Sequence, residues 1–316
     1  DWPDHLSLLR LPALFMDEKF TTLIAGDTDR SVEDIQRRRL SMLFELFEAR
    51  RPDVFIVELY PFGRTIFGYE LEPLLDAIRS GKFGNVKSVC SLRDILVEKK
   101  DPRSYEKRVL NRLKRFFDLL LVHSDDNLLP LERTFSRTSQ IPIPLYYTGF
   151  ITQRGDSQNG KKLRHELKLA VDTKLIVASA GGGRSGYPHL KSVLDAFDLL
   201  DDSLPVRLEI FTGPFMDQIE FKKLSRLSKP GVNIRRFTSR FMDYLFAADL
   251  SVSLAGYNTC MDLLVTKVPA LVYPYRRQRE QPMRVETLKK MLPMRILRDH
   301  DLEPAALSQH IEQMLL

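Results

Sequence analysis

Cysteine is nearly absent from these 316 residues, and the two that occur, Cys90 and Cys260, sit in an apolar run and beside a glycine loop. Two thiols so placed offer neither a disulfide framework nor metal-ligand spacing, and they suit a reduced, cytoplasmic setting. Long apolar runs are missing too. None approaches the roughly 20 residues that span a bilayer, and no apolar signal region stands near the start, so a soluble protein is expected. No aromatic-basic module accompanies the lysines and arginines. The formal charge of +6 therefore suits an anionic small substrate or an acidic membrane surface, not nucleic acid. No repeat of fixed period and no low-complexity tract is present.

What is present is alternation. With 43% hydrophobic residues the chain can build a full core, and its length fits about two domains. Short apolar runs at 54–59, 86–91, 119–123, 145–148, 175–179, 206–212, 232–237, 250–253 and 270–273 read as strands. Segments of helical spacing lie between them, such as 35–49, 67–79, 105–117, 190–200 and 258–265. This order predicts an α/β fold with mostly parallel sheets covered on both faces. The polar stretch 152–162 is the best boundary, giving domains 1–151 and 152–316. Ahead of residue 30 only a weak strand at 6–11 is expected. The first domain is thus expected to lack its opening strand, glycine loop and helix.

Two loops carry the strongest signal. Ala180-Gly181-Gly182-Gly183-Arg184-Ser185-Gly186 follows one strand and Ala255-Gly256-Tyr257-Asn258-Thr259-Cys260-Met261-Asp262 follows another, each ahead of a helix. Bare glycine backbone and the positive end of a helix suit an anion, and Arg184 and Ser185 add a cation and a hydroxyl. Read blandly, the first loop is a tight turn, Asn258 or Thr259 an N-cap, and Asp262 a favourable acidic residue near a helix start. A carboxylate at Asp262 also suits two ribose hydroxyls. A third element, 274–281, follows the last apolar strand and places polar side chains where a ligand crevice opens, although solvated charge explains its arginines equally well.

Residues 250–262, 269–275 and the run Gln278-Arg279-Glu280-Gln281 resemble the carboxyl-terminal half of the GT-B glycosyltransferases, above all the lipid-linked N-acetylglucosaminyltransferases of peptidoglycan synthesis. Nearly the whole chain, including Glu58-Leu59-Tyr60-Pro61-Phe62-Gly63-Arg64, Ser91-Leu92-Arg93-Asp94 and Tyr147-Thr148-Gly149, resembles a set of predicted glycosyltransferases of unassigned role. The resemblance implies two Rossmann-like domains facing a cleft, the first on the acceptor side and the second binding a UDP-sugar donor. It further implies that Gly181, Gly182 and Gly183 face the diphosphate, with Thr259 near the phosphates. Phe237, Thr238 and Met242 would cradle uracil, with Phe241 seating that turn. Asp262 stands for the family's ribose-binding glutamate, and Gln281 contacts the donor sugar. The acceptor expected is lipid-linked or a saccharide, as in cell-envelope polysaccharide synthesis, with no cofactor.

The family's usual base, a histidine in the first glycine loop, has no counterpart here. His123, Glu58 and Asp94 each end a strand at one sheet edge and are the candidates in its place. His123 serves equally as a structural histidine, and Glu58 and Asp94 as partners of Arg64 or Arg93. The histidines at 5, 165, 189, 300 and 310 are expected at the surface. Asp27-Thr28-Asp29 and Asp299-His300-Asp301 read as solvated turns, not metal motifs, since neither follows an apolar strand. Metal-independent chemistry is expected. Arg37, Arg38 and Arg39 would meet anionic lipid if the protein lies peripherally on a membrane, and otherwise form a solvated helix face. The rival readings are a UDP-sugar epimerase or hydrolase and a donor-binding subunit that needs a partner.

Overall fold

The computed structural model describes residues 5–16, 22–26, 29–201, 203–275 and 279–316. Contacts divide the chain into two compact units, residues 1–124 with 131–149, and residues 125–130 with 150–316.

In the first unit a small antiparallel hairpin, β1 (Leu14–Met16) with β2 (Leu23–Ala25), precedes helix α1 (Val32–Arg50). No strand forms at 6–11; Leu6, Leu8 and Leu9 are exposed there, without a partner strand to bury them. Strand β3 (Val54–Glu58), helix α2 (Gly68–Arg79), β4 (Lys87–Arg93), α3 (Pro102–Phe116), β5 (Leu119–His123) and β6 (Leu145–Tyr147) follow. The strands pair in parallel in the order β3-β4-β5-β6. Helix α1 starts where Ser31 Oγ accepts the Asp34 amide, and α3 starts where Asp101 accepts that of Ser104, both ordinary N-caps. Between the sheet and its helices the core is aromatic, with Phe47, Tyr60, Phe62, Phe116, Phe117 and Phe135 all buried.

The second unit opens with α4 (Ser157–Glu166). That helix occupies much of the polar stretch read from sequence as a boundary, and local chemistry explains it. Asp156 caps its start, and Gly160 lets its backbone press against Phe246, where a Cβ would lie 2.6 Å from the Phe246 carbonyl carbon. Then come β7 (Lys174–Ser179), α5 (Tyr187–Phe197), β8 (Val206–Phe211), α6 (Gln218–Ser225), β9 (Val232–Arg235), α7 (Phe241–Ala247), β10 (Leu250–Leu254), α8 (Tyr257–Thr266), β11 (Ala270–Tyr273), α9 (Glu280–Leu288), β12 (Met294–Ile296) and α10 (Pro304–Leu315). Six parallel strands stand in the order β12-β11-β10-β7-β8-β9. One apolar layer joins the sheet to α5, α6 and α10, and another joins it to α4, α7, α8 and α9. Because both faces are covered, β7 runs apolar without alternation from Leu175 to Ala178, and the serines that alternate with apolar residues in β10, Ser251 and Ser253, are buried like Ser179.

Candidate functional site

Strand order sets where a ligand can sit. From β7 the chain adds β8 and β9 on one side of the sheet and β10, β11 and β12 on the other. Connections that diverge to opposite faces leave a crevice at the carboxyl ends of the two central strands. Ser179, the last residue of β7, pairs in register with Ser253 of β10 at that point. A cavity of about 340 Å³ opens there, large enough for a small ligand.

Its walls come from four strand ends: Ser179, Gly181 and Gly182 after β7, Gly213 and Pro214 after β8, Phe237, Thr238 and Phe241 after β9, and Asn258, Thr259 and Asp262 on α8. The glycine loop is fixed by its neighbour. Phe215 donates its amide to the Gly182 carbonyl at 2.9 Å, and Gly183 and Gly213, both at positive φ, each pack where a Cβ would come within 2.3 Å of a backbone oxygen. Bare backbone of Gly181 and Gly182 is what the cavity meets.

Helix α8 begins at Gly256, which offers no side-chain cap, so Asn258 and Thr259 lie inside the first turn and are not N-caps. First-turn amides have no acceptor within the helix, and they give this wall a positive pole. Asp262, one turn deeper, is buried, and desolvation raises its carboxyl to about 6. Ser179 Oγ is also buried and has no hydrogen-bond partner. A hydroxyl and a carboxyl held without side-chain partners in a concave pocket with bare glycine backbone can hold the hydroxyls and phosphates of a nucleotide.

Not every residue singled out by sequence meets the cavity. Arg184 and Ser185 are exposed beyond its lining, Met242 is buried outside it, and Gly256 only starts the helix. Gln281, on α9, accepts the Tyr275 amide at 2.8 Å. Residues 276–278, with Gln278, lie outside the described residues, as do Asp27 and Thr28. Asp299 and His300 are exposed in one short 3-10 turn, as expected, with Asp299 accepting the Tyr273 hydroxyl, whereas Asp301 is half-buried, accepts the Arg298 amide and lies 2.8 Å from His310 Nε2. Of the lining, sequence reading missed Gln153, Ser179, Phe211, Gly213, Pro214, Arg236 and Ser239. Only Ser179, at a strand end ahead of a glycine loop, carried a signal that could have found it.

In the first unit, His123, Ser91, Glu58 and Arg93 gather at the carboxyl ends of β3, β4 and β5. Thr148 Oγ1 lies 2.9 Å from both the Gly149 carbonyl and His123 Nδ1; with its proton on that carbonyl it accepts from Nδ1. That tautomer leaves Nε2 to accept the Ser91 hydroxyl at 2.7 Å. Burial, with Arg93 as a minor contributor, lowers the His123 pKa, while Glu58 opposes it. The ring is therefore neutral near pH 7, with its basic nitrogen at a hydroxyl. Glu58 is bound by Arg93 at 2.7 Å and Arg64 at 3.1 Å. Asp94 is 1% exposed and accepts the Ile95 amide.

Two expectations are corrected. His189 is not a surface residue: on the inward stripe of α5 with Leu190 and Val193, it is 2% exposed and stacks on Tyr273. Arg39 does not belong to a solvated run, because it is half-buried in a bidentate pair with Glu70 and donates to the Pro12 carbonyl; of the three, Arg37 and Arg38 face solvent.

Residues 192–316 match the glycosyltransferase family 28 C-terminal domain. No curated protein matches the chain in sequence. Among solved structures, the glycosyltransferase of kitacinnamycin aligns at TM-score 0.56 and 17% identity over 90% of this chain and 72% of its own. MurG of Acinetobacter baumannii aligns at TM-score 0.54 and 13% identity over 93% and 75%. A Listeria monocytogenes protein given provisionally as a UDP-N-acetylglucosamine 2-epimerase aligns at TM-score 0.58 and 14% identity over 92% and 73%. The fold is thus GT-B, with two Rossmann-like domains. On that fold, residues 192–316 are similar to a glycosyltransferase family 28 C-terminal domain.

Proposed function

We propose that this protein is a glycosyltransferase that takes its sugar from a uridine diphosphate donor bound in the second unit and passes it to a hydroxyl of an acceptor held by the first. The observation that carries the reading is Asp262, a partly desolvated carboxyl in a cavity walled by bare glycine amides and by the first turn of α8. Ribose hydroxyls would donate to Asp262, and the diphosphate would lie against Gly181, Gly182 and the helix start, near Thr259. The charge that develops on the leaving diphosphate is met by amides already in place, which suits transfer without a metal ion. Phe237, Thr238 and Phe241 would seat the base, and Gln281 the sugar.

His123 is the best placed base, with Nε2 unprotonated and a hydroxyl already on it. No helix among the described residues is long and apolar enough to cross a membrane. A cytoplasmic location, with peripheral contact through Arg37 and Arg38, fits a lipid-linked acceptor.

Calorimetry with UDP, ADP and GDP tests the donor. UDP is expected to bind tightest, equal affinities would remove the uridine assignment, and transfer that stops in chelator would remove metal independence. A second reading, UDP-sugar epimerisation or hydrolysis, draws on the Listeria neighbour. It predicts turnover of labelled UDP-sugar with no acceptor added, which transfer does not.

A further inference from the structure

The His123 ring meets two hydroxyls, and they differ in what they have left to offer. Thr148 Oγ1 lies 2.9 Å from Nδ1 and from the Gly149 carbonyl and 3.4 Å from the Val122 carbonyl, so its proton goes to the chain's own backbone. Ser91 Oγ, 2.7 Å from Nε2, has no other hydrogen-bond partner among the described residues. A hydroxyl has one proton to give and two lone pairs to receive with. Ser91, bound to the ring through its proton, can therefore still accept from another hydroxyl.

The ring itself has no such capacity. A neutral imidazole has one bare nitrogen with one lone pair, and with the proton on Nδ1 that lone pair points at Ser91. Ser91 stands within β4, which is paired with β3 on one side and β5 on the other, and its carbonyl accepts the Leu59 amide, so its backbone is held in place. It is 9% exposed. A substrate hydroxyl that went straight to Nε2 would break the Ser91 bond and leave a nearly buried hydroxyl unpaired, which costs free energy. One that donates to Ser91 keeps every bond. The charges around the ring suit a proton passed inward: burial keeps the ring neutral at rest, and Glu58 on β3 favours its protonated form, against Arg93 on β4.

We propose that Ser91 is a catalytic residue, which takes the proton of the acceptor hydroxyl and hands its own to His123. The acceptor oxygen bonds to the anomeric carbon as the bond from that carbon to the diphosphate breaks, and the diphosphate leaves with the electron pair. The acceptor proton moves to Ser91 Oγ and the Ser91 proton to Nε2, so the ring ends as imidazolium and Ser91 ends as it began. Thr148 is the positioning residue, since its hydroxyl keeps the other ring proton on Nδ1. This inference rests on His123 as the base, as proposed above.

A hydroxyl whose proton is drawn to an imidazole is also a nucleophile, which gives a test that needs no acceptor. The full chain is treated with p-nitrophenyl acetate at neutral pH, and the acetylated residue is found by peptide mass mapping. The acetyl group passes to Ser91 Oγ as nitrophenolate leaves, with the Ser91 proton on His123. An acetyl ester on Ser91 is expected, formed at least about 10-fold more slowly in His123→Gln and Thr148→Val and at the wild-type rate in Thr148→Ser. In Ser91→Ala the uncovered Nε2 should take the acetyl group itself, as a short-lived acetylimidazole that shows as continued nitrophenolate release. Acetyl on the wild-type ring, an unreactive Ser91, or a Ser91 ester that forms as fast without His123 overturns the proposal. Should Thr148→Val not fold, His123→Gln and Ser91→Ala decide. Nitrogen NMR of the labelled ring reads the tautomer: a proton on Nε2 overturns the base reading and the relay together, whereas a bare Nε2 beside an unreactive Ser91 overturns the relay alone. UDP affinity measured by calorimetry on the same samples reports the donor reading separately.

Discussion

Asp262 is held at the expense of stability. Its folded carboxyl titrates at about 6 because burial penalises the charged form, and no cation offsets that penalty. Near pH 7 the ionised group is therefore a cost of about 1 to 3 kcal/mol to the empty protein. A bound ribose would recover it by donating two hydrogen bonds. Asp262→Asn is expected to raise the melting temperature at pH 7.5 and to weaken UDP about 10-fold to 100-fold, since hydrogen bonds to a charged acceptor contribute roughly 1.5 to 3 kcal/mol. Melting and calorimetry on one sample check both. A residue that merely favours a helix start would show the opposite on each count: a lowered melting point and unchanged affinity. In the wild type, UDP affinity should also fall as pH drops through about 6, where Asp262 takes up its proton.

At the scale of elements, the crevice depends on two loops that touch through backbone alone. A Cβ at Gly213 would sit 2.3 Å from the Gly181 carbonyl oxygen, and φ there is +88. Gly181 itself has φ +57 but open space around it. Gly181→Ala is therefore expected to cost about 1 kcal/mol of strain, while Gly213→Ala should cost several times that and abolish UDP binding by moving the glycine loop. Urea denaturation and UDP titration separate the two; equal losses would mean that the loops are not packed as described. The same elements show what sequence reveals. β5 and β11 have the very limits their apolar runs suggest, because neither carries a polar residue before its last position. β12, three residues with Arg295 exposed, is too short to leave a pattern, and α7 gave none because its seven residues make barely two turns. The cavity was legible in its glycines and in Asp262, which are local. Gly213 and Ser179 matter through neighbours across the sheet, and spacing along a chain does not record those.

For the molecule as a whole, acid stability of the second unit is a contest between two buried groups of opposite sign. His189 has its pKa lowered to about 4 by burial, which the nearby Val252 backbone opposes more weakly, and neither ring nitrogen meets full hydrogen-bond geometry. In an unfolded chain it titrates near 6.5. As pH falls from 6.5 to 4 the unfolded chain takes up a proton that the folded one refuses, so stability falls, by about 2 to 3 kcal/mol in all. Asp262 runs the other way. Folded it binds its proton at about 6 and unfolded only at 3.8, so falling pH stabilises the fold across nearly the same window. The two slopes are expected to offset each other, leaving the wild-type contribution of this pair almost flat between pH 6 and pH 4. Substitution exposes each in turn. Asp262→Asn should make the melting temperature fall steeply below pH 6, by roughly 4 °C or more, and His189→Phe, which keeps a ring against Tyr273, should make it rise. Reading the slope with pH, not the absolute melting point, removes any packing cost of the new side chain. Parallel curves for wild type and both variants would show that neither group is buried as the fold places it.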